Sequence, residues 1–153
     1  MTFMNFLIGL PAMMLCLIVQ TTVAYWSVRH YVTHLPQVGS GRGFLAGMRP
    51  LIIATLAMLA GTLIQIMLWG ALFLRLGEFD EAYDAIYHSA VNFSSLGYGD
   101  IVMTRERRLL GPLEAVNGVL MLGMSAATVM AIVQHMITLL REAPPKEGAS
   151  GRP

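Results

Sequence analysis

The sequence predicts an all-α membrane protein: three transmembrane helices, with a short re-entrant helix and a glycine-rich loop between the second and third. Three observations carry this reading. Apolar residues make up 56% of the 153-residue chain and charged residues only 12%, with a mean hydropathy of +0.62, far from ordinary soluble composition. Three long stretches carry no formal charge, and each is long enough for the ~20 residues that cross a hydrocarbon core. Between the second and third lies a helix-length segment too short to span, followed by glycines that break any regular element. A net charge of +1 argues against a nucleic-acid binder, which needs a basic surface. The single cysteine, Cys16, sits in an apolar run and reads as a small hydrophobe.

Residues 1–28 form the first span. They hold no Asp, Glu, Lys or Arg, so no charge has to enter hydrocarbon. A cleaved leader is the rival reading, but the basic segment that would precede its apolar core is missing. Pro11 either kinks this helix or marks its start, because proline removes one backbone donor and crowds the preceding turn. Residues 29–50 are a polar connecting loop with a short interfacial helix around Phe44 to Met48. Its cluster Gly39-Ser40-Gly41-Arg42-Gly43 lacks the preceding strand and following lysine of a phosphate-binding loop. His30 and His34 share one helical face but have no third ligand nearby, so they read as interfacial residues before a metal site.

Leu51 to Leu74 is the second span, charge-free and closed by Arg75. Trp69 and Phe73 suit the aromatic belt at a membrane face. Gly61 and Gly70 allow close helix contact, and Gln65 needs a partner inside the bundle. Gly77 to Glu81 is a turn, with Asp80 placed to cap a helix over residues 81–93. A helix of that length sits at membrane depth only where other protein surrounds it. The sequon Asn92-Phe93-Ser94 runs straight into the next loop and is discounted as a glycosylation site.

That loop reads Ser94-Ser95-Leu96-Gly97-Tyr98-Gly99-Asp100. Alternating glycines let a backbone enter left-handed conformations without a Cβ clash, so successive carbonyl oxygens can be turned to one side. A stack of such carbonyls replaces the hydration shell of a monovalent cation when several chains each supply one strand around an axis. Over Ser95, Leu96, Gly97, Tyr98 and Gly99, and on to Asp100, the run resembles the filter loop of the potassium channel superfamily pore domain. Ser95 stands where that family has threonine and keeps the hydroxyl. Leu96 replaces a valine or isoleucine, with its side chain expected to point away from the pore into the packing behind the filter.

The resemblance covers residues 51–140 and implies an outer helix over 51–76, a pore helix over 81–93, a filter over 95–99 and an inner helix over 111–140. It implies that residues 95–99 hold potassium ions, mainly through backbone carbonyls. Tyr87 and His88 would pack around Tyr98, and either would hydrogen-bond it to hold the loop open; His88 is also a candidate proton sensor, or simply a packed histidine. The pore helix would aim its dipole and free carbonyls at the axis. Glu78, Asp80, Glu81 and Asp84 would lie at the outer mouth, as a cation-concentrating ring or as a solvated rim.

Ile101 to Leu110 is a return loop bearing Arg105, Arg107 and Arg108, and Gly111-Pro112 opens the third span with proline in the first turn. Glu114 is the only charge between there and Arg141. It has to be paired or interfacial, with the back of the filter, Arg107, Arg108 or rim solvent as its surroundings. The resemblance puts Gly123 close to the family's inner-helix hinge; a close-packing glycine fits it equally. Ser125, Ala126, Ala127, Thr128 and Ala131 offer a small-residue face for a wet cavity. Residues 141–153 read as a disordered cytoplasmic tail.

One copy of the loop cannot surround an ion, and the resemblance implies a homotetramer around one axis. It also implies a multi-pass protein of the cell membrane, with the N-terminus outside and residues 29–50 and the C-terminus in the cytoplasm. Arg29, Arg42, Arg49, Arg141, Lys146 and Arg152 then lie inside, against Arg75, Arg105, Arg107 and Arg108 outside, a weak positive-inside bias. The first span is extra to a two-span pore and is expected to pack peripherally, to shield the pore domain from lipid, or to assist insertion. The expected function is passive, potassium-selective conduction, with potassium as permeant ligand, no cofactor, and no catalytic constellation. A weakly selective cation channel and a non-conducting channel-like subunit are the alternatives. An enzyme of the membrane interface is a distant fourth, resting on a metal at His30 and His34.

Overall fold

The computed structural model describes residues 2–34 and 44–142. Four helices make up the described chain: α1 (Thr2–Thr33), α2 (Phe44–Arg75), α3 (Ala82–Phe93) and α4 (Leu110–Glu142). Three of them, α1, α2 and α4, are long and apolar enough to cross a membrane, and the 12-residue α3 lies between the second and third spans. The chain is therefore an all-α protein of the expected layout. The glycine cluster at 39–43 and the tail from 143 onward lie outside the described residues.

Several helix ends differ from the sequence reading. α1 continues past Val28 to Thr33 and passes through Pro11, which is exposed and does not mark its start. The cost there is local: one carbonyl, that of Leu7, loses its intrahelical donor. The interfacial helix expected around Phe44 to Met48 is the beginning of α2, which runs on through Pro50 without a break. At α3 the N-cap position is Glu81, in extended conformation and without a side-chain capping bond, so Asp80 does not cap the helix.

α1 packs against both other spans. The Asn5 Nδ2 donates to the carbonyl of Glu106 (2.8 Å), Gly9 faces Leu110 and Leu113, and Tyr31 clusters with Ala54 and Ile132. α1 thus runs parallel to α4 and antiparallel to α2, with its N-terminus on the side of the return loop. Its buried residues are Asn5, Gly9, Cys16, Gln20, Ser27 and Tyr31, while Phe3, Leu7, Leu10, Met14 and Ile18 are exposed. This inside-out pattern is what lipid selects: apolar side chains meet the tails, and polar or small ones meet other helices. The buried stripe repeats every 11 residues, slightly more than 3.6 per turn, the period that goes with a shallow right-handed supercoil.

α3 is seated between α2 and α4 by two glycines. A Cβ on Gly70 would stand 3.0 Å from the Cα of Ile86, so α3 rests directly on the backbone of α2. A Cβ on Gly118 would overlap the backbone carbonyl of Phe93, so α4 touches the C-terminal end of α3. Beneath lie Cys16, Trp69, Phe73, Phe93, Leu110 and Met121, one buried cluster. Trp69 and Phe73 are each 0% exposed and form no aromatic belt. The cause is that α2 is covered there from both sides: Phe73 meets His88 of α3, and Trp69 meets Cys16 of α1.

Gly118 and Gly123 lie on the same helix and give opposite expectations. Gly118→Ala forces backbone apart and is expected to cost about 1–3 kcal/mol, the usual overpacking penalty. A Cβ on Gly123 meets nothing within 4 Å, so Gly123→Ala is expected to be neutral or slightly stabilising. Thermal unfolding of the two variants in detergent checks both.

Candidate functional site

The loop after α3 takes its shape from the end of that helix. The Ser94 amide donates to the Ala90 carbonyl (3.1 Å), that of Ser95 to Asn92 (2.8 Å), and those of Leu96 and Gly97 both to Val91 (3.0 and 3.4 Å). The Ala90, Val91 and Asn92 carbonyls of α3 are therefore occupied by the loop's own amides, and that of Phe93 faces Gly118 of α4. They are not free groups aimed at an ion, and what α3 offers there is the dipole that remains. From this anchor the chain alternates: φ is positive at Ser95 (59°), Gly97 (61°) and Gly99 (74°), and at neither Leu96 nor Tyr98 between them. The two glycines adopt that region without penalty; Ser95 does so at a cost.

Every residue from Ser94 to Asp100 is exposed on the single chain. Tyr98 is 67% exposed and Leu96 58%. Leu96 thus fills no space behind the loop within its own subunit.

The loop is held from behind and above by side chains of α3 and the return loop. The Tyr87 hydroxyl donates to Asp100 Oδ2 (2.7 Å). Hydrogen bonding to the phenol raises the Tyr87 pKa from 10.0 to about 12, and the same bond lowers that of Asp100. His88 is boxed by Phe73 and Phe79. Its Nδ1–H donates to the Ile101 carbonyl (3.0 Å), and its Nε2 accepts from Asn92 Nδ2 (2.9 Å). Tyr87 and His88 therefore brace Asp100, at the end of the loop, and Ile101 after it, and neither bonds the Tyr98 of its own chain. Their register on α3 aims them past the tyrosine.

Glu114 is 0% exposed, so it is no rim residue. It meets Ser89 of α3, whose hydroxyl lies 2.5 Å from Glu114 Oε1 and 2.8 Å from the Ile66 carbonyl. One serine thereby ties the short helix to both flanking spans. Arg107 goes elsewhere: its guanidinium bonds the Leu76 carbonyl and pairs with Glu78 (3.7 Å). Glu78 in turn accepts from the Thr104 amide (2.7 Å) and hydroxyl (3.0 Å), so it fastens the return loop. Asp80 and Glu81 are exposed. Gly123 lies on an exposed face of α4 with Ala126, Ala127 and Ala131, whereas Ser125 turns toward α1. Trp26, His30 and His34 stack in a column at the end of α1.

The bonding roles of Ser89, Asn92 and Thr104 escaped the sequence reading. The available signal was spacing: Tyr87 and His88 drew notice, while Asn92, at i+4 from His88, shares its face, and Ser89 lies three residues before Asn92.

Two outcomes follow for acid and alkali. Burial keeps the His88 pKa below its ordinary 6.5, so the folded state binds fewer protons than the unfolded one and stability rises with pH. Thermal stability is expected to be full above pH 6.5 and to fall below it, with His88→Gln flattening that slope. The Tyr87–Asp100 bond needs a carboxylate and a phenol. It persists until the pH drops through the lowered range of Asp100 or climbs from 10.0 towards 12, and Tyr87→Phe should abolish the alkaline loss in the same melting series.

Taken together, these contacts describe a half-membrane helix, seated between two spans, that presents a loop of alternating backbone sign. A family model described as ion channel matches residues 52–135, more than half of the chain, and takes in α3, the loop and most of α2 and α4. Comparison with curated proteins and with solved structures gives no match. The chain belongs to the ion channel family, in its form of two spans around a pore loop.

Proposed function

We propose that four copies of this chain form a potassium-selective channel, with the Ser95–Tyr98 carbonyls and the Ser95 hydroxyl replacing the hydration shell of the ion. The observation that carries this reading is the alternation of φ at Ser95, Gly97 and Gly99. That alternation is the backbone pattern able to turn neighbouring carbonyls to one side. Two further features support it. The loop hangs from α3 with Tyr98 and Leu96 uncovered, surfaces that three neighbouring copies would bury. The small-residue face of α4 at Gly123, Ala127 and Ala131 is equally uncovered, as an inner helix lining a wet path requires. Conduction is passive: repulsion between ions in adjacent sites drives exit, and potassium is the permeant ligand without any cofactor.

The orientation that fits is a multi-pass cell-membrane protein with the N-terminus and pore loop outside and the C-terminus in the cytoplasm. The shared side of the α1 N-terminus and the return loop, tied by Asn5 and Glu106, is consistent with it.

Flux from liposomes under matched potassium and sodium gradients tests the proposal, with Gly97→Ala as the control. A Cβ at φ 61° is strained by about 1–2 kcal/mol, so the variant is expected to lose either flux or ion preference while wild type favours potassium. Equal passage of both ions by wild type would give a weakly selective cation channel, and no passage by a tetrameric sample a non-conducting subunit.

A further inference from the structure

α1 is absent from a minimal two-span pore, yet it is not a bystander to α4. Past Met121, every hydrogen bond from an α4 side chain to another helix, among the described residues, goes to α1. Gln20 Nε2 donates to Ser125 Oγ (2.6 Å), and the Tyr31 hydroxyl meets His135 Nδ1 (3.3 Å) with the rings edge to face. Gln20 also accepts from Gln65 Nε2 of α2 (2.6 Å), so one amide, 0% exposed, joins all three spans. Its alternatives are poor, because an amide without partners in an apolar interior pays its full desolvation cost. Gly61 lets α1 come this close: a Cβ there would lie 3.4 Å from Gln20 Oε1 and from Val23.

The opposite face of α4 is bare at this level. A Cβ placed on Gly123, two residues before Ser125, would have open space for 4 Å around it. The helix is thus pinned on the α1 side and unsupported on the side that, in the proposed tetramer, lines the wet path.

We infer that α1 is a strap on the inner helix, with Gln20 and Tyr31 as positioning residues that fix the course of α4 beyond Gly123 and so the bore of the pore's inner end. This rests on the channel reading above. The strap touches no filter residue, so it governs how often and how widely the inner end opens, and leaves ion choice to Ser95–Gly99.

The test uses full-length tetramers carrying Tyr31→Phe or Gln20→Leu, the first removing only a hydroxyl and so keeping the fold. Two readouts run in parallel: single-channel recording, and pulsed spin-label distances between the four copies of Ile137→Cys in a Cys16→Ala background. Both variants are expected to broaden the label distances. The open-to-closed ratio should shift at least roughly fivefold in one direction, as for one lost net hydrogen bond, with the potassium-to-sodium preference unchanged. Adding Ser125→Ala to Gln20→Leu should change little more, since the pair acts as a unit. Unaltered distances and ratio would overturn the strap, and so would a parallel loss of ion preference, the mark of general loosening. Broadened distances in a protein that passes no ion would leave the strap standing and remove the channel.

Discussion

A helix that stops partway through a membrane has to be walled by protein, because its backbone ends find no water in hydrocarbon. The seating of α3 is therefore the constraint on which everything else depends. Two glycines make the seat: Gly70 lets α3 lie on the backbone of α2, and Gly118 lets α4 meet the carbonyl of Phe93. The amides of Ser94 to Gly97 then satisfy the Ala90, Val91 and Asn92 carbonyls at the end of α3. The loop conformation is in this sense a helix cap, and the left-handed residues at 95, 97 and 99 follow from a start that is already fixed.

Buried polar groups carry the rest of the specificity. Apolar packing between spans gains little over contact with lipid, so helix order has to be set by close approach and by hydrogen bonds. Ser89 reaches Glu114 and Ile66 at the level of α3, and Gln20 reaches Gln65 and Ser125 lower down. On the return-loop side Glu78 gathers Thr104 and Arg107, which turns part of an apparently free acidic group into a fastening for the return loop. These three layers hold the four helices in one arrangement.

The spans and the loop were legible in the sequence because each rests on local chemistry. A charge-free run has few fates other than a membrane, and Gly97 and Gly99 mark where backbone must turn. Partners across helices were harder. Trp69 and Phe73 resemble interface aromatics until α1 and α3 are known to cover them, and Glu114 resembles a rim charge until Ser89 is opposite it. Tyr87 and His88 lay on the right helix, yet a shift along the chain moved their bonds from Tyr98 to Asp100 and Ile101. The role of α1 was readable in principle: the series Asn5, Gly9, Cys16, Gln20, Ser27, Tyr31 is a polar and small stripe at helical spacing. In a membrane helix that stripe marks the buried face, the reverse of the soluble rule.

The central claim is that copies of this chain bring the Ser95–Tyr98 carbonyls around one ion path. Anomalous scattering from crystals of the full-length protein grown in rubidium, a potassium substitute, tests it most directly. The account predicts a row of peaks on a fourfold axis, level with those carbonyls. Rubidium scattered off the axis, or an assembly whose symmetry leaves the loops apart, would contradict it.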